Sequence, residues 1–243
     1  RLNDFDAEQA TGFLGEAIRR VRDEIGDERA LIGFCGAPFT VASYMIEGAS
    51  SRNFEHAKAM MLGEPALFDR LLARIVDNEL GYLAMQVAAG ADVLQVFDSW
   101  GGAFSAATYR ERLLPEVTRL VAGARSLDVP VILYVNGGGH LLEVLADSGA
   151  DALGIDWRVD PRDAIRRVGD RVALQGNLDP CTLFAPPGVV ESEARRVLAE
   201  FAGAPGYVFN LGSGILPGTP VAGVEALFRT VLVPLASDSA VKS

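Results

Sequence analysis

The chain has 243 residues, 49% of them hydrophobic and 22% charged, with a net charge of −10. That composition suits one large α/β domain, and its acidity argues against nucleic acid as the main partner. No apolar run approaches the ~18 residues that a membrane span needs, and the opening RLNDFDAEQATGF has neither the basic start nor the apolar core of a signal peptide. Two cysteines, Cys35 and Cys181, are too few for a disulfide framework, so a reducing compartment is expected. The basic residues are 20 Arg and two Lys, which reads as coding bias, and an anionic ligand would need positive charge gathered locally.

In chain order the pattern predicts a helix over 7–24, a strand over 30–35 and a helix over 65–89. A strand over 93–98 and a helix over 107–125 come next, then a strand over 129–135 and a helix over 141–148. Strands over 152–156, 172–176 and 207–211 follow, with helices over 160–168, 190–202 and 220–236 and a loose tail at 237–243. The strand runs are continuously apolar rather than alternating, as parallel strands buried on both faces require. Pro65 near the start of the third element and Gly90 just past its end fit the usual asymmetry of helix ends. Strand and helix in alternation imply βαβ units around one parallel sheet.

The number of repeats is short of a familiar architecture. A closed (β/α)8 barrel takes ~250 residues, yet the pattern holds six strands, and a helix precedes the first of them. The expectation is a TIM-barrel type α/β domain with about six of eight βα units, the first two lying before Arg1.

Barrel enzymes carry function at the C-terminal ends of strands, and the polar residues cluster there. The strand ends read GFCGAPFTVASYMIEG, VFDSWGG, YVNGGG, GIDWR, LQGNLDP and NLGSG. Single loops of this kind are rich in Gly, Asn and Asp for turn reasons alone, but six on one rim, with Tyr44, Phe97, Trp100 and Trp157 nearby, point to a lined cleft. Side chains alternate along a strand, so Phe97 and Ser99 share a side and Asp98 faces the other, which suits a structural role capping the next loop. Asp156 reads as paired with Arg158. Arg52 reads as a solvated surface residue, and His140, after the NGGG turn, as a candidate rim residue. In YVFNLGSGILPGTP, glycines on both sides of Ser213 suggest backbone approaching something closely.

The strings GAPFTVASYMIEG, QVFDSWGG, GIDW, LQGNLDP and FNLGSGILPGTP, in this order and spacing, closely resemble the uroporphyrinogen decarboxylase family. The likeness runs over about 31–228. It implies a cofactor-free (β/α)8 barrel without a metal, usually a homodimer, in the cytoplasm, acting on a tetrapyrrole in haem and porphyrin biosynthesis. The reaction implied removes the acetate carboxyls of uroporphyrinogen III to leave methyls. On that resemblance Tyr44, Ser99 and Ser213 match substrate-binding positions; Phe97, on the same side of its strand as Ser99, reads either as packing on the macrocycle or as a core residue. The family usually reads N-L-G-H-G where this chain has Ser213, and neither His56 nor His140 sits in that motif. The family's aspartate for the pyrrole N–H groups and its R-Q-A-G-R-type segment have no match here, so no catalytic residue is assigned and the chain by itself is expected to be inactive.

Two other functions compete with that implication. A zinc-dependent, corrinoid-linked methyltransferase of the same barrel type needs a histidine two residues before a ligating cysteine, but Gly33 and Asp179 occupy those places. A non-catalytic tetrapyrrole-binding protein would be consistent with Ser213 and the unmatched N-terminal motifs.

Overall fold

The computed structural model describes residues 6–49 and 51–232. Six parallel strands form one sheet in the order of the chain: β1 (Ile32–Gly36), β2 (Val93–Asp98), β3 (Val131–Val135), β4 (Ala152–Gly154), β5 (Ala173–Leu178) and β6 (Tyr207–Leu211). Each lies on or within a residue or two of its predicted run. The tail at 237–243 lies outside the described residues.

Ten helices accompany the strands among the described residues: α1 (Ala7–Ile25), α2 (Pro38–Glu47), α3 (Glu55–Gly63), α4 (Pro65–Ala88), α5 (Ala106–Arg112), α6 (Leu114–Arg125), α7 (Leu142–Ala146), α8 (Pro161–Val168), α9 (Pro187–Glu200) and α10 (Val221–Leu232). Four depart from expectation. The stretch read as one helix over 107–125 is two, broken at Leu113, because Pro115 has no N–H to give to the Glu111 carbonyl. The segment after β1, read as a loop, contains α2 and α3. Phe39, Thr40 and Val41 are weak helix formers, but Pro38 opens α2 and Gly48, at φ 70°, closes it.

Pleating divides the strand residues between two faces. Cys35, Val96, Leu133, Leu153 and Leu174 run along one row, all buried, and join one continuous apolar core with the helices. The next row reads Gly36, Phe97, Tyr134, Gly154, Gln175 and Val208 and lies on the opposite, inner face.

β1 and β6 each pair with a neighbour on one side only, among the described residues. Their inner-face side chains are exposed: Phe34 at 55% and Val208 at 45%. Unpaired backbone groups beside apolar side chains template association. Residues 1–243 in isolation are therefore expected to self-associate or fold only in part. Light scattering after size exclusion checks this; a monodisperse monomer with one cooperative melt would show that the edges are tolerated.

Candidate functional site

The inner-face row opens into a cleft of about 460 Å³ at the C-terminal ends of the strands. β2 contributes Gln95, Phe97 and, just past its end, Ser99; β3 contributes Tyr134, β5 Gln175, and the turn after β6 Ser213. The cleft thus brings together three of the four residues chosen from the sequence: Phe97, Ser99 and Ser213. The fourth, Tyr44, is on α2 rather than in a loop. Its ring is half-exposed and meets Trp100 edge-on, with centroids 6.4 Å apart, beside rather than within this cleft. All three hydroxyls nevertheless follow C-terminal strand ends, so they share one rim of the sheet.

Asp98 turns away from the cleft and anchors the loop that carries Ser99. Its carboxylate, fully buried, accepts from Thr40 Oγ1 at 2.8 Å, from the Gly101 amide at 2.9 Å and from the Tyr109 hydroxyl at 3.0 Å. Burial pushes its pKa up, and the donors from Thr40, Tyr109 and the Gly101 and Trp100 amides oppose that rise. The capping role read from side-chain alternation is the one that it fills. No comparable freedom remains at Asp156, which accepts from the Gly137 amide at 2.6 Å and from the Arg158 amide and Nε, both at 2.9 Å. Arg158 also donates to Asn136 Oδ1 at 2.5 Å and lies 4.6 Å over the Trp157 ring. The two strand-end aspartates are thus structural anchors on separate loops. His140 donates from Nε2 to the Phe104 carbonyl at 2.7 Å, holding the loop after Ser99, and Arg52 is exposed.

The glycines around Ser213 divide in purpose. A Cβ on Gly212 would collide with the Trp157 backbone nitrogen, so what this glycine approaches is the loop after β4. Its amide donates to the Leu178 carbonyl at 2.7 Å, and its carbonyl accepts from the Tyr134 hydroxyl at 2.9 Å. Gly214, by contrast, has open space around it. Tyr134 escaped the sequence reading because it sits inside an apolar run, yet it holds the turn that presents Ser213. Burial raises its pKa; hydrogen bonding with the Ser213 hydroxyl opposes this, Asp156 adds to the rise, and Arg158 counters it.

A second cleft, of about 430 Å³, lies at the β1 edge, where the Cys35 thiol faces Glu79 of α4. Burial lifts the Glu79 carboxyl to about 7, against a lowering by its hydrogen bond with Cys35. Cys35 is buried and Cys181 is exposed. Among the described residues no group of three or more His, Cys, Asp or Glu side chains is placed to hold a metal ion.

In solved structures the same architecture occurs in a methyltransferase from Methanosarcina mazei, with a TM-score of 0.79 at 24% identity over 90% of this chain and 63% of that one. It occurs also in a B12-independent methionine synthase from Shewanella, with a TM-score of 0.62 at 13% identity over 90% and 66% of the two chains. At such identities the likeness shows the fold alone. Sequence relatives are nearer. The uroporphyrinogen decarboxylase of Chromohalobacter salexigens is 48% identical over 230 residues, covering 91% of this chain and 65% of its own. That of Pelobacter propionicus is 45% identical over 219 residues, covering 90% and 64%. The chain therefore spans just under two thirds of the length of the curated relatives that it matches. The uroporphyrinogen decarboxylase (URO-D) family model matches residues 1–232, the whole span from the first helix to the last, and with relatives this similar the chain belongs to that family.

Proposed function

We propose that the protein to which this chain belongs is a uroporphyrinogen decarboxylase, removing the acetate carboxyls of uroporphyrinogen III to give coproporphyrinogen III. The family match over residues 1–232 carries this reading. The cleft supports it: a neutral cavity walled by Phe97 and Tyr134, with hydroxyls from Ser99 and Ser213 at its mouth. Loss of CO2 from a pyrrole acetate requires the ring to be protonated so that it can accept the electron pair of the breaking bond. The carboxylate must then sit where water does not stabilise it. In this assignment Ser99 and Ser213 hold substrate carboxylates, Phe97 packs on the macrocycle, and Tyr44 binds from the adjoining rim.

The acid and the cations for a polycarboxylate are assigned to the third of the relatives' length that this chain does not span. Two further βα units there would close the sheet between β6 and β1. The protein is taken to be a cytoplasmic homodimer that needs no cofactor. The test is anaerobic incubation of the full-length gene product with uroporphyrinogen III, with products oxidised to porphyrins and separated by carboxyl number. Stepwise loss of four carboxyls is expected; an unchanged octacarboxylate would overturn the reading.

Ser213 makes a sharper test of the contact map. A serine donates one short hydrogen bond and cannot become cationic, unlike the family's histidine. Hydrogen bonds to charged groups are worth about 1.5 to 3 kcal/mol, of which a hydroxyl retains part. Ser213→His in the full-length protein is expected to raise kcat/KM by about tenfold at most. The space for the imidazole is on the Gly214 side alone, because Gly212 is packed against the Trp157 backbone. An unchanged or lower rate would mean that the site is built around serine.

A further inference from the structure

Two polar side chains at the floor of the cleft have no role in the assignment above. Gln95 and Gln175 are 4% and 2% exposed, yet both line the cavity. The strand register explains how they meet. Gly154 of β4 pairs with Tyr134 on one side and with Gln175 on the other. A Cβ there would crowd the Tyr134 ring and stand 3.2 Å from Gln175 Oε1, so both neighbours lean into the space that glycine leaves. One pleat below, Gln95 donates from Nε2 to Gln175 Oε1 at 3.3 Å.

In that bond Gln175 is the acceptor. Its amide oxygen is taken, and its nitrogen keeps two N–H donors with no protein partner among the described residues. The buried side-chain atoms left without a partner among the described residues are Trp100 Nε1 and Arg112 Nε, so the Gln175 nitrogen is open to the cleft, where a ligand acceptor can meet it. The ligand group must be an acceptor, which excludes a pyrrole N–H. No Asp, Glu, Lys, Arg or His lines the cleft among the described residues, so the acceptor is met by dipoles alone.

We propose that the Gln175 amide, oriented by Gln95, is a specificity-determining donor to one carboxylate arm of the substrate. It takes the arm that passes below Ser99 alongside the Phe97–Tyr134 pair, whose rings meet edge-on at 5.8 Å. The proposal rests on the reading of the substrate as a polycarboxylate tetrapyrrole. Gln175 lies level with Phe97 and so about 7 Å, two residues, deeper than Ser99 along the strand direction. Only an arm projecting from the macrocycle reaches it, and its neutral donors hold a carboxylate without offering the countercharge that would fix the ion in place.

The test uses the full-length protein and its Gln175→Glu and Gln175→Met variants. Binding of uroporphyrin, the fluorescent oxidised octacarboxylate, is titrated from pH 6 to pH 9 alongside KM for uroporphyrinogen III. Gln175→Glu keeps the shape and the acceptor for Gln95. When protonated it still donates one hydrogen bond; when ionised it only accepts and repels a carboxylate. Its affinity relative to the natural protein is therefore expected to be near one at pH 6, where burial keeps the proton on, and to fall at least tenfold by pH 9. Tyr134, the titratable side chain of the lining, has a raised pKa and keeps its proton over this range; Asp156 and Arg158, which face it, are unaltered in both proteins. Gln175→Met, with similar volume and no donor, should lose about tenfold at every pH. A merely structural glutamine would give no pH-dependent ratio. A flat ratio for Gln175→Glu, or full affinity in Gln175→Met, overturns the proposal. A natural protein that binds uroporphyrin but leaves uroporphyrinogen intact would overturn the decarboxylase reading, and the binding ratios would still decide the role of Gln175.

Discussion

Replacing Asp98 with alanine is expected to lower the stability of the folded chain by about 3 kcal/mol or more. The carboxylate is the shared acceptor for Thr40, Gly101 and Tyr109, and all of them lie in the fully buried wall between β2 and the helices. Each buried donor left without a partner costs about 1 to 3 kcal/mol. The three losses overlap, since α2 and the 101–109 segment can shift towards one another, so the sum is smaller than three separate penalties. Against a typical domain stability of about 5 to 15 kcal/mol this is a large fraction. Asp98→Asn keeps one oxygen acceptor and should recover part of the loss. Urea denaturation of the three full-length proteins measures it, and an alanine variant within about 1 kcal/mol of the natural protein would refute the anchoring role.

Glu79→Gln should stabilise the chain above neutral pH and not below pH 5. The Glu79 carboxyl ionises at its ordinary value of 4.5 in the unfolded chain and at about 7 in the folded one. Below the lower value both states hold the proton, and burial carries no extra cost. Between the two values the unfolded chain releases the proton while the folded one retains it, so stability falls as pH rises. Above about 7 the folded carboxyl is ionised too, and the loss is complete. At about 1.4 kcal/mol per pH unit, and allowing for the partial exposure of Glu79, the gain from glutamine at pH 8 is roughly 1 to 3 kcal/mol. Melts of both full-length proteins between pH 4.5 and pH 8.5 check this; parallel curves would show that the cleft at the β1 edge does not hold a neutral acid.

The strands were legible as short, mainly apolar runs between turn residues; β3 is buried throughout, while β1 and β6 alternate towards solvent. The first helices after β1 were not, since Phe39 to Val41 have little helix propensity and their burial against the sheet decides the matter. Asp98 yielded to the period of two. The same period held a second message that went unread: Gln95 in VLQVFD and Gln175 in ALQG share the parity of Phe97 and Tyr134, and a polar residue on the inner face of an apolar strand marks a cavity floor. Tyr44 went the other way. Its motif placed it at the correct end of the sheet, but the helix that carries it turns its ring towards Trp100, and only tertiary packing fixes that direction.

The hydroxyl of Tyr134 reaching the Gly212 carbonyl is a chord drawn across the mouth, from the third strand to the turn after the sixth. It passes over β4 and β5 without relying on the hydrogen bonds between strands. The gap between those two walls is therefore set by the length of one phenol ring, and fraying at β1, the outer strand that carries neither end of the chord, leaves it unchanged. Phenylalanine at position 134 would keep the ring and cut the chord, turning a mouth of fixed width into one that breathes.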